Sequence, residues 1–172
     1  RPVADISPIG YNSDPKIPVL NQKTLALGFG YTEGGFPNPY PEKLQHVVMN
    51  HIDYDACYEY YGPQLNDTTM ICTLGEKTGV CNGDSGGPLF NPAAVGTSNG
   101  ELIGITSWGS GLCEGTPGVF VRVSAFSDWI TKAICCMSSN PPYTCTNTNC
   151  SESFGTSYTC NPDGRSPTCR QP

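Results

Sequence analysis

Six short apolar runs, separated by glycine, proline, asparagine and aspartate, restrict most strongly what this chain can fold into. The runs cover residues 24–29, 45–50, 70–73, 87–90, 101–108 and 118–123. Runs of this length, with turn-forming residues between them, are typical of the strands of a β-sandwich or β-barrel. We therefore predict an all-β fold for residues 3–126.

The pattern changes near the end of this region, where residues 123–134 carry apolar side chains three and four positions apart. This spacing indicates an α-helix, and Ser124 is available as its N-cap because serine oxygens accept hydrogen bonds from the first turn. We expect this terminal helix to pack on the β-sheet structure that precedes it.

Beyond residue 134 the chain is polar, and aliphatic side chains almost disappear. A segment of this composition cannot bury a core of its own, so it is either held by disulfides or disordered. The sequence does not choose among the pairings open to its six cysteines, which are Cys135, Cys136, Cys145, Cys150, Cys160 and Cys169. We predict two regions, residues 1–134 and a cysteine-rich tail of residues 135–172.

Composition narrows the context in which such a chain works. Ten cysteines beside two histidines favour disulfides formed in an oxidising compartment over a zinc site, so we expect a secreted protein without metal or cofactor. Sequons at Asn66 and Asn149 are candidate glycosylation sites that agree with secretion. A net charge of −6 without a basic cluster argues against nucleic acid. The chain has no signal peptide at its start and no membrane-spanning apolar stretch.

Residues 81–89, with the sequence CNGDSGGPL, carry the chemistry of the chain. A serine hydroxyl becomes nucleophilic when a base takes its proton, and the oxyanion that follows needs hydrogen-bond donors already aimed at it. Backbone N–H groups of Gly83 and Ser85 can supply those donors, and Gly86 and Gly87 allow a backbone path that side chains would obstruct. The segment therefore predicts a nucleophile, Ser85, with its oxyanion hole.

This segment resembles the nucleophile loop of the chymotrypsin/trypsin-like serine proteases, and other segments match that family in the same order. They are residues 27–30 (LGFG), 70–72 (MIC), 105–111 (ITSWGSG), Cys113 and residues 116–123 (TPGVFVRV). The resemblance covers about residues 3–134. It implies the C-terminal six-stranded antiparallel β-barrel of a two-barrel fold, followed by a terminal α-helix, whereas the first barrel has no counterpart in this sequence.

The resemblance also implies roles for single residues. Ser85 would be the acylated nucleophile, with the N–H groups of Gly83 and Ser85 as the oxyanion hole. Asp84 would be the carboxylate that pairs with a new amino terminus after zymogen cleavage. The implied disulfides are Cys57–Cys72 and Cys81–Cys113, which leaves the six tail cysteines to pair among themselves.

A substrate pocket follows from the same resemblance, with walls at Gly79, Val80, Asn82, Ser107, Trp108, Gly109 and Gly118. The segment Ser107-Trp108-Gly109 would hydrogen-bond substrate backbone as an edge strand. Trypsin-like members carry an aspartate where this chain has Gly79, so we expect chymotrypsin-like preference for large apolar residues. Elastase-like preference for smaller residues is the alternative, because Val80 narrows one wall. Glu114 near the rim could still attract a cation.

The histidine and aspartate of the catalytic triad have no counterpart in this chain, since the family takes both from the first barrel. His46 and His51 fit a strand and a surface better than a catalytic base. We therefore expect a serine endopeptidase that is inactive unless an N-terminal half supplies histidine and aspartate. The alternative is an inactive homologue that acts as a binding module. Expected partners are peptide or protein substrates, the N-terminal barrel and protein protease inhibitors.

Overall fold

The structure is a computed structural model that describes residues 9–32, 40–92 and 101–137. It separates into two compact units, Arg1–Ala125 and Phe126–Pro172. The strands of the first unit are β1 (Gly10–Tyr11), β2 (Lys23–Gly28), β3 (Gln45–Ile52), β4 (Met70–Leu74), β5 (Pro88–Asn91), β6 (Glu101–Trp108) and β7 (Gly118–Arg122). Helix α1 (Tyr54–Tyr61) lies in the first unit, and helix α2 (Ser127–Met137) lies in the second.

Six strands close into an antiparallel barrel, as predicted. Their order is β6, β5, β2, β3, β4 and β7, and β7 pairs back with β6. Strand β1 adds two residues in parallel to the start of β6, and the sequence pattern did not predict it because two residues carry no periodicity. The six predicted runs all fall on barrel strands, with ends that differ by one or two residues.

The barrel core takes one fully buried side chain from each of the six strands. These are Ala26, Met49, Ile71, Leu89, Ile103 and Phe120. A Cβ atom at Gly104 would lie 3.1–3.2 Å from Ile71, Leu89 and Phe120. This position therefore stays without a side chain so that the two layers of the barrel interior can meet.

Helix α1 is joined to the barrel by one of the predicted disulfides. The Asp53 carboxylate accepts a hydrogen bond from the Ala56 N–H (2.8 Å) and caps the helix. Cys57, fully buried, is bonded to Cys72 on β4. The sequence analysis did not predict this helix, although an aspartate directly before residue 54 is an N-cap signal.

The terminal helix exists but begins later than predicted. A 3-10 helix occupies Val123–Phe126, and α2 begins at Ser127. The prediction of Ser124 as N-cap is wrong, because its buried hydroxyl oxygen has no hydrogen-bond partner within the described residues. How α2 packs, and whether a separate region begins at residue 135, stay predictions. Cys135 and Cys136 are disulfide-bonded, and the pairing of the other tail cysteines lies outside the described residues.

The part of the chain that the structure describes has neither a membrane-spanning helix nor a cluster of metal ligands. Neither helix there is long and apolar enough to cross a membrane. Histidine, cysteine, aspartate and glutamate side chains do not gather in threes that could hold a metal ion in that part of the chain.

His51 is a buried titratable group at the junction of β3 and β4. Its Nδ1 lies 2.9 Å from the Cys72 carbonyl oxygen, which fixes a proton on Nδ1 in the neutral ring. Burial lowers the pKa of His51 and Arg122 lowers it further, against the opposing effects of the Cys72 hydrogen bond and Asp53. Protonation of His51 therefore favours the unfolded chain.

We predict that the free energy of unfolding falls as pH drops through the unfolded histidine pKa of about 6.5. Below that pH the unfolded chain binds a proton that folded His51 takes up only at lower pH, so the stability present above it is lost. In urea unfolding from pH 7.5 to 5, His51→Asn should flatten this dependence on pH, because asparagine does not titrate. Its side-chain amide keeps a hydrogen-bond donor for the Cys72 carbonyl oxygen. The exposed His46→Asn should behave as wild type, and equal slopes in both variants would contradict the assignment.

Candidate active site

The loop between β4 and β5 is a pair of tight turns fixed to β6. The Asp84 N–H donates to the Cys81 carbonyl (3.0 Å), and the Gly87 N–H donates to the Asp84 carbonyl (2.9 Å). The Gly86 N–H then donates to the Thr106 carbonyl, and the Thr106 N–H donates to Gly87, both at 2.9 Å. Ser85 is thus held between two backbone turns rather than in a free loop.

Two glycines give this loop its path. Gly83 has φ 101° and Gly86 has φ 81°, which is backbone that residues with a side chain rarely adopt. A Cβ at Gly87 would lie 2.8 Å from the Asp84 carbonyl oxygen and 3.0 Å from that of Leu27. The backbone geometry on both sides of Ser85 therefore requires glycine at residues 83, 86 and 87, which the sequence analysis identified.

The Asp84 carboxylate anchors the loop to the turn that follows β2. Its Oδ1 accepts a hydrogen bond from the Gly30 N–H (2.7 Å), and its Oδ2 accepts one from the Cys81 N–H (2.9 Å). A Cβ at Gly28 would collide with Oδ1, and one at Gly30 would lie 2.5–2.6 Å from the carboxyl group. Gly28 and Gly30 thus leave free the space that the Asp84 carboxylate occupies. The sequence analysis matched the LGFG segment to the family but did not predict this role.

An open cavity adjoins the Asp84 carboxylate and the two glycines. Asp84, Gly28 and Gly30 line it together with Tyr31, Lys77 and Glu114, and its volume is about 210 Å³. His46 and Gly79 also line it. The carboxylate thus sits at a space large enough to admit a further group.

A second cavity, of about 230 Å³, contains Ser85 in its lining. The structure brings together there six of the seven residues predicted to bind substrate, namely Val80, Asn82, Ser107, Trp108, Gly109 and Gly118. Gly79 is not among them and lines the cavity at Asp84 instead, and a Cβ at this position would collide with the Cys113 carbonyl oxygen. Val80 therefore forms the wall that the sequence analysis shared between Gly79 and Val80.

Tyr61, at the end of α1, braces two walls of this Ser85 cavity. Its ring packs edge-on against Trp108 with centroids 4.8 Å apart, and its hydroxyl donates to the Pro117 carbonyl oxygen. The sequence analysis did not identify Tyr61, because its contact with Pro117 spans 56 residues.

The second disulfide closes the side of the cavity. Cys81, at the start of the Ser85 loop, is bonded to Cys113, and their Cα atoms are 4.9 Å apart. This bond and Cys57–Cys72 are the two that the family resemblance implied. The facing loop is held further by a hydrogen bond of 2.6 Å between the hydroxyls of Ser110 and Thr116.

Neither histidine of the chain lines the cavity that contains Ser85. His46 is exposed on β3 and lines the cavity at Asp84. His51 is buried and hydrogen-bonded to Cys72. Ser85, the loop glycines and the adjoining cavity are therefore brought together among the described residues without an imidazole in the cavity lining.

Asn66 is exposed in the turn before β4. Its Oδ1 accepts hydrogen bonds from the Thr68 N–H (3.0 Å), the Thr68 hydroxyl (2.6 Å) and the Thr69 N–H (3.1 Å). The second sequon, at Asn149, lies outside the described residues.

Comparison with known proteins gives a consistent result. The family model described as Trypsin matches residues 1–130. Proproteinase E of Bos taurus is 42% identical over 109 residues, which are 60% of this chain and 40% of that protein. Trypsin of Sarcophaga bullata is 43% identical over 96 residues, which are 54% of this chain and 35% of that protein.

The same holds for structure. Neuropsin, a serine protease expressed in the limbic system of mouse brain, matches with a TM-score of 0.65 and 27% identity over 74% of this chain and 54% of that one. The chain spans less than half the length of the two curated relatives and about half of neuropsin.

We predict that Asp84→Ala destabilises the chain by about 1–3 kcal/mol, because the N–H groups of Gly30 and Cys81 lose their acceptors. Urea unfolding monitored by tryptophan fluorescence measures the change. Glu76→Ala, which removes an exposed carboxylate near the start of the same loop, should change the free energy of unfolding by less than about 0.5 kcal/mol. A loss at Asp84 no larger than at Glu76 would show that the two hydrogen bonds do not hold the loop.

Proposed function

Because this chain belongs to the trypsin family of serine proteases, we propose that it carries the nucleophile, oxyanion hole and specificity pocket of a serine endopeptidase. The observation that carries the proposal is the position of Ser85, which lies in a loop held by Asp84 and lines a cavity. Free serines on turns are common, but one fixed by hydrogen bonds on both sides and opening into a cavity is suited to acyl transfer.

The proposed reaction follows from these groups. Ser85 Oγ attacks the carbonyl carbon of a peptide bond while a base takes its proton, and the N–H groups of Gly83 and Ser85 stabilise the oxyanion. The same base returns the proton to the leaving amine as the C–N bond breaks, which leaves an ester on Ser85. Water then hydrolyses this ester and restores the hydroxyl.

The base is proposed to come from polypeptide outside this sequence, since neither histidine lines the Ser85 cavity. The outer face of the β2–β3 pair supports a partner there. Phe29, Leu44 and Val48 are 52%, 54% and 49% exposed; Val48 lies on β3, and Phe29 and Leu44 directly follow and precede the paired strand ends Gly28 and Gln45. Exposed apolar surface of this kind usually contacts another protein surface.

The missing base also favours a second candidate function, an inactive homologue that binds peptides without cutting them. Its pocket and edge strand would still hold substrate backbone and one side chain. The labelling experiment below distinguishes the two.

Asp84 is proposed to pair with an amino terminus created by zymogen cleavage. The cavity beside its carboxylate supports this proposal, because it could receive such a group next to the two backbone N–H donors already bound. A cation there would fix the loop more firmly, since charge-assisted hydrogen bonds are stronger than neutral ones.

For specificity, we propose a large apolar side chain. Gly109 and Gly118 leave the cavity walls open, and a carboxylate at Gly79 would collide with Cys113, which argues against trypsin-like preference. Burying such a side chain would contribute about 2–3 kcal/mol. Val80 Cγ2 lies 2.9 Å from the place of a Cβ at Gly118, so elastase-like preference for smaller residues is the alternative.

The disulfides and the family support a secreted protein, with Asn66 as a glycosylation site on an exposed turn. Substrates would be peptides or proteins, and protein protease inhibitors would compete for the same cavity.

We predict that the chain alone reacts with a fluorophosphonate probe at least about 1,000-fold more slowly than the same chain joined to a histidine-bearing segment encoded upstream of Arg1. Mass spectrometry should place the label on Ser85. Ser85→Ala should abolish labelling, whereas Ser127→Ala should not affect it. Rapid labelling of Ser85 in the chain alone would refute the external base, and no labelling of the joined chain would favour the binding module.

We also predict that, in the joined protein, Gly109→Ala reduces the rate of cleavage after phenylalanine and Gly109→Val reduces it further. A Cβ at Gly109 would meet Pro117 and Tyr61 at 3.5 and 3.8 Å, ordinary contact distances, so the substitutions should fold while they fill the cavity. Gly109→Val should lower kcat/KM for phenylalanine at least about tenfold, with cleavage after alanine less affected. A wild-type preference for arginine or lysine would contradict the proposed pocket.

A further inference from the structure

We propose that Tyr40 and Tyr31 are positioning residues for the oxyanion hole, holding the Asn82–Gly83 peptide so that the Gly83 N–H faces the substrate carbonyl. This inference rests on the proposed function, because it assigns a task to side chains around the same loop.

The backbone of Tyr31 fixes one end of this peptide. Its N–H donates a hydrogen bond of 3.0 Å to the Asn82 carbonyl oxygen. In a planar trans peptide, the carbonyl of Asn82 and the N–H of Gly83 point in opposite directions. A bond that holds the Asn82 oxygen on one side therefore directs the Gly83 N–H to the other.

The side chain of Tyr40 covers Gly83 from outside. A Cβ at Gly83 would lie 2.6 Å from Tyr40 Cε1 and 3.1 Å from the Cα of Gly30, so the loop is enclosed there by a ring and by backbone. Gly83 has φ 101° and no side chain of its own, which leaves its backbone free to rotate unless neighbours prevent it. The ring of Tyr40 is placed to prevent that rotation.

The two tyrosines support each other. Their ring centroids are 4.6 Å apart with planes tilted by 36°, and a hydrogen bond between the phenols raises the pKa of Tyr31. Tyr40 is 60% exposed and therefore contributes little to the barrel core. Among the described residues it approaches Gly83 and Tyr31, as expected of a side chain that acts on the loop.

Amide hydrogen exchange in the chain itself tests the inference without any catalysis. Tyr40→Ala should speed exchange of the Tyr31 N–H at least about tenfold and introduce microsecond-to-millisecond 15N relaxation dispersion at Gly83. Tyr40→Phe keeps the ring and should behave close to wild type. Tyr58→Ala, which removes an exposed tyrosine from α1, should leave both signals unchanged. Unchanged Tyr31 and Gly83 signals in Tyr40→Ala would overturn the inference.

The kinetic consequence is measured in the protein joined to its histidine-bearing segment. Tyr40→Ala should lower kcat about tenfold with KM within about twofold, less than the 100- to 1,000-fold typical for loss of an oxyanion donor. An equal loss in Tyr40→Phe, or a change in KM alone, would overturn the positioning role. Altered exchange at Gly83 in a protein that cleaves nothing would instead refute the proposed function and leave the tyrosine contact standing.

Discussion

The two hydrogen bonds to the Asp84 carboxylate are the interactions on which the candidate site depends. One reaches the turn after β2 at Gly30, and the other reaches back to Cys81 at the start of the loop. Without them, the loop would keep its backbone hydrogen bonds with Thr106 on β6 and with Tyr31, together with the Cys81–Cys113 disulfide. The carboxylate thus converts a glycine-rich segment, which is inherently mobile, into a fixed platform for Ser85.

The strands were predictable from the sequence because each has its own apolar run, whereas their closure into a barrel followed from the family resemblance. Residues inside the barrel are buried regardless of which strand they come from, so a short apolar run bounded by turn residues is enough to locate a strand. The start of α2 was harder to predict. Ser124 looked like a cap, yet the chain first makes a 3-10 turn that buries its hydroxyl. Local sequence therefore predicts the type of a secondary-structure element more accurately than the residue at which the element begins.

The glycine loop could be predicted for the same reason as the strands, since its geometry is set by neighbours in sequence. The supports of the loop could not. Gly30 and Asp84 are 54 positions apart, Tyr61 and Pro117 are 56 apart, and Tyr40 and Gly83 are 43 apart. Nothing in the local sequence distinguishes Tyr40 or Tyr61 from an ordinary surface aromatic residue. Such contacts follow only from strand order, which brings β2 beside β5 and α1 beside β4.

The oxyanion donors and the base of an acyl-transfer site place different demands on the structure that holds them. Donors for an oxyanion are backbone N–H groups, so one barrel can fix them with its own turns, carboxylate and rings. A base must change its protonation state during the reaction, and a buried imidazole inside the same barrel is stabilised in its neutral form instead, as His51 shows. A base at the edge of a second structural unit escapes that constraint, because it can meet both solvent and the serine. Under the proposed function, the rigid half of the chemistry lies in this barrel, and the titrating half comes from polypeptide outside this sequence.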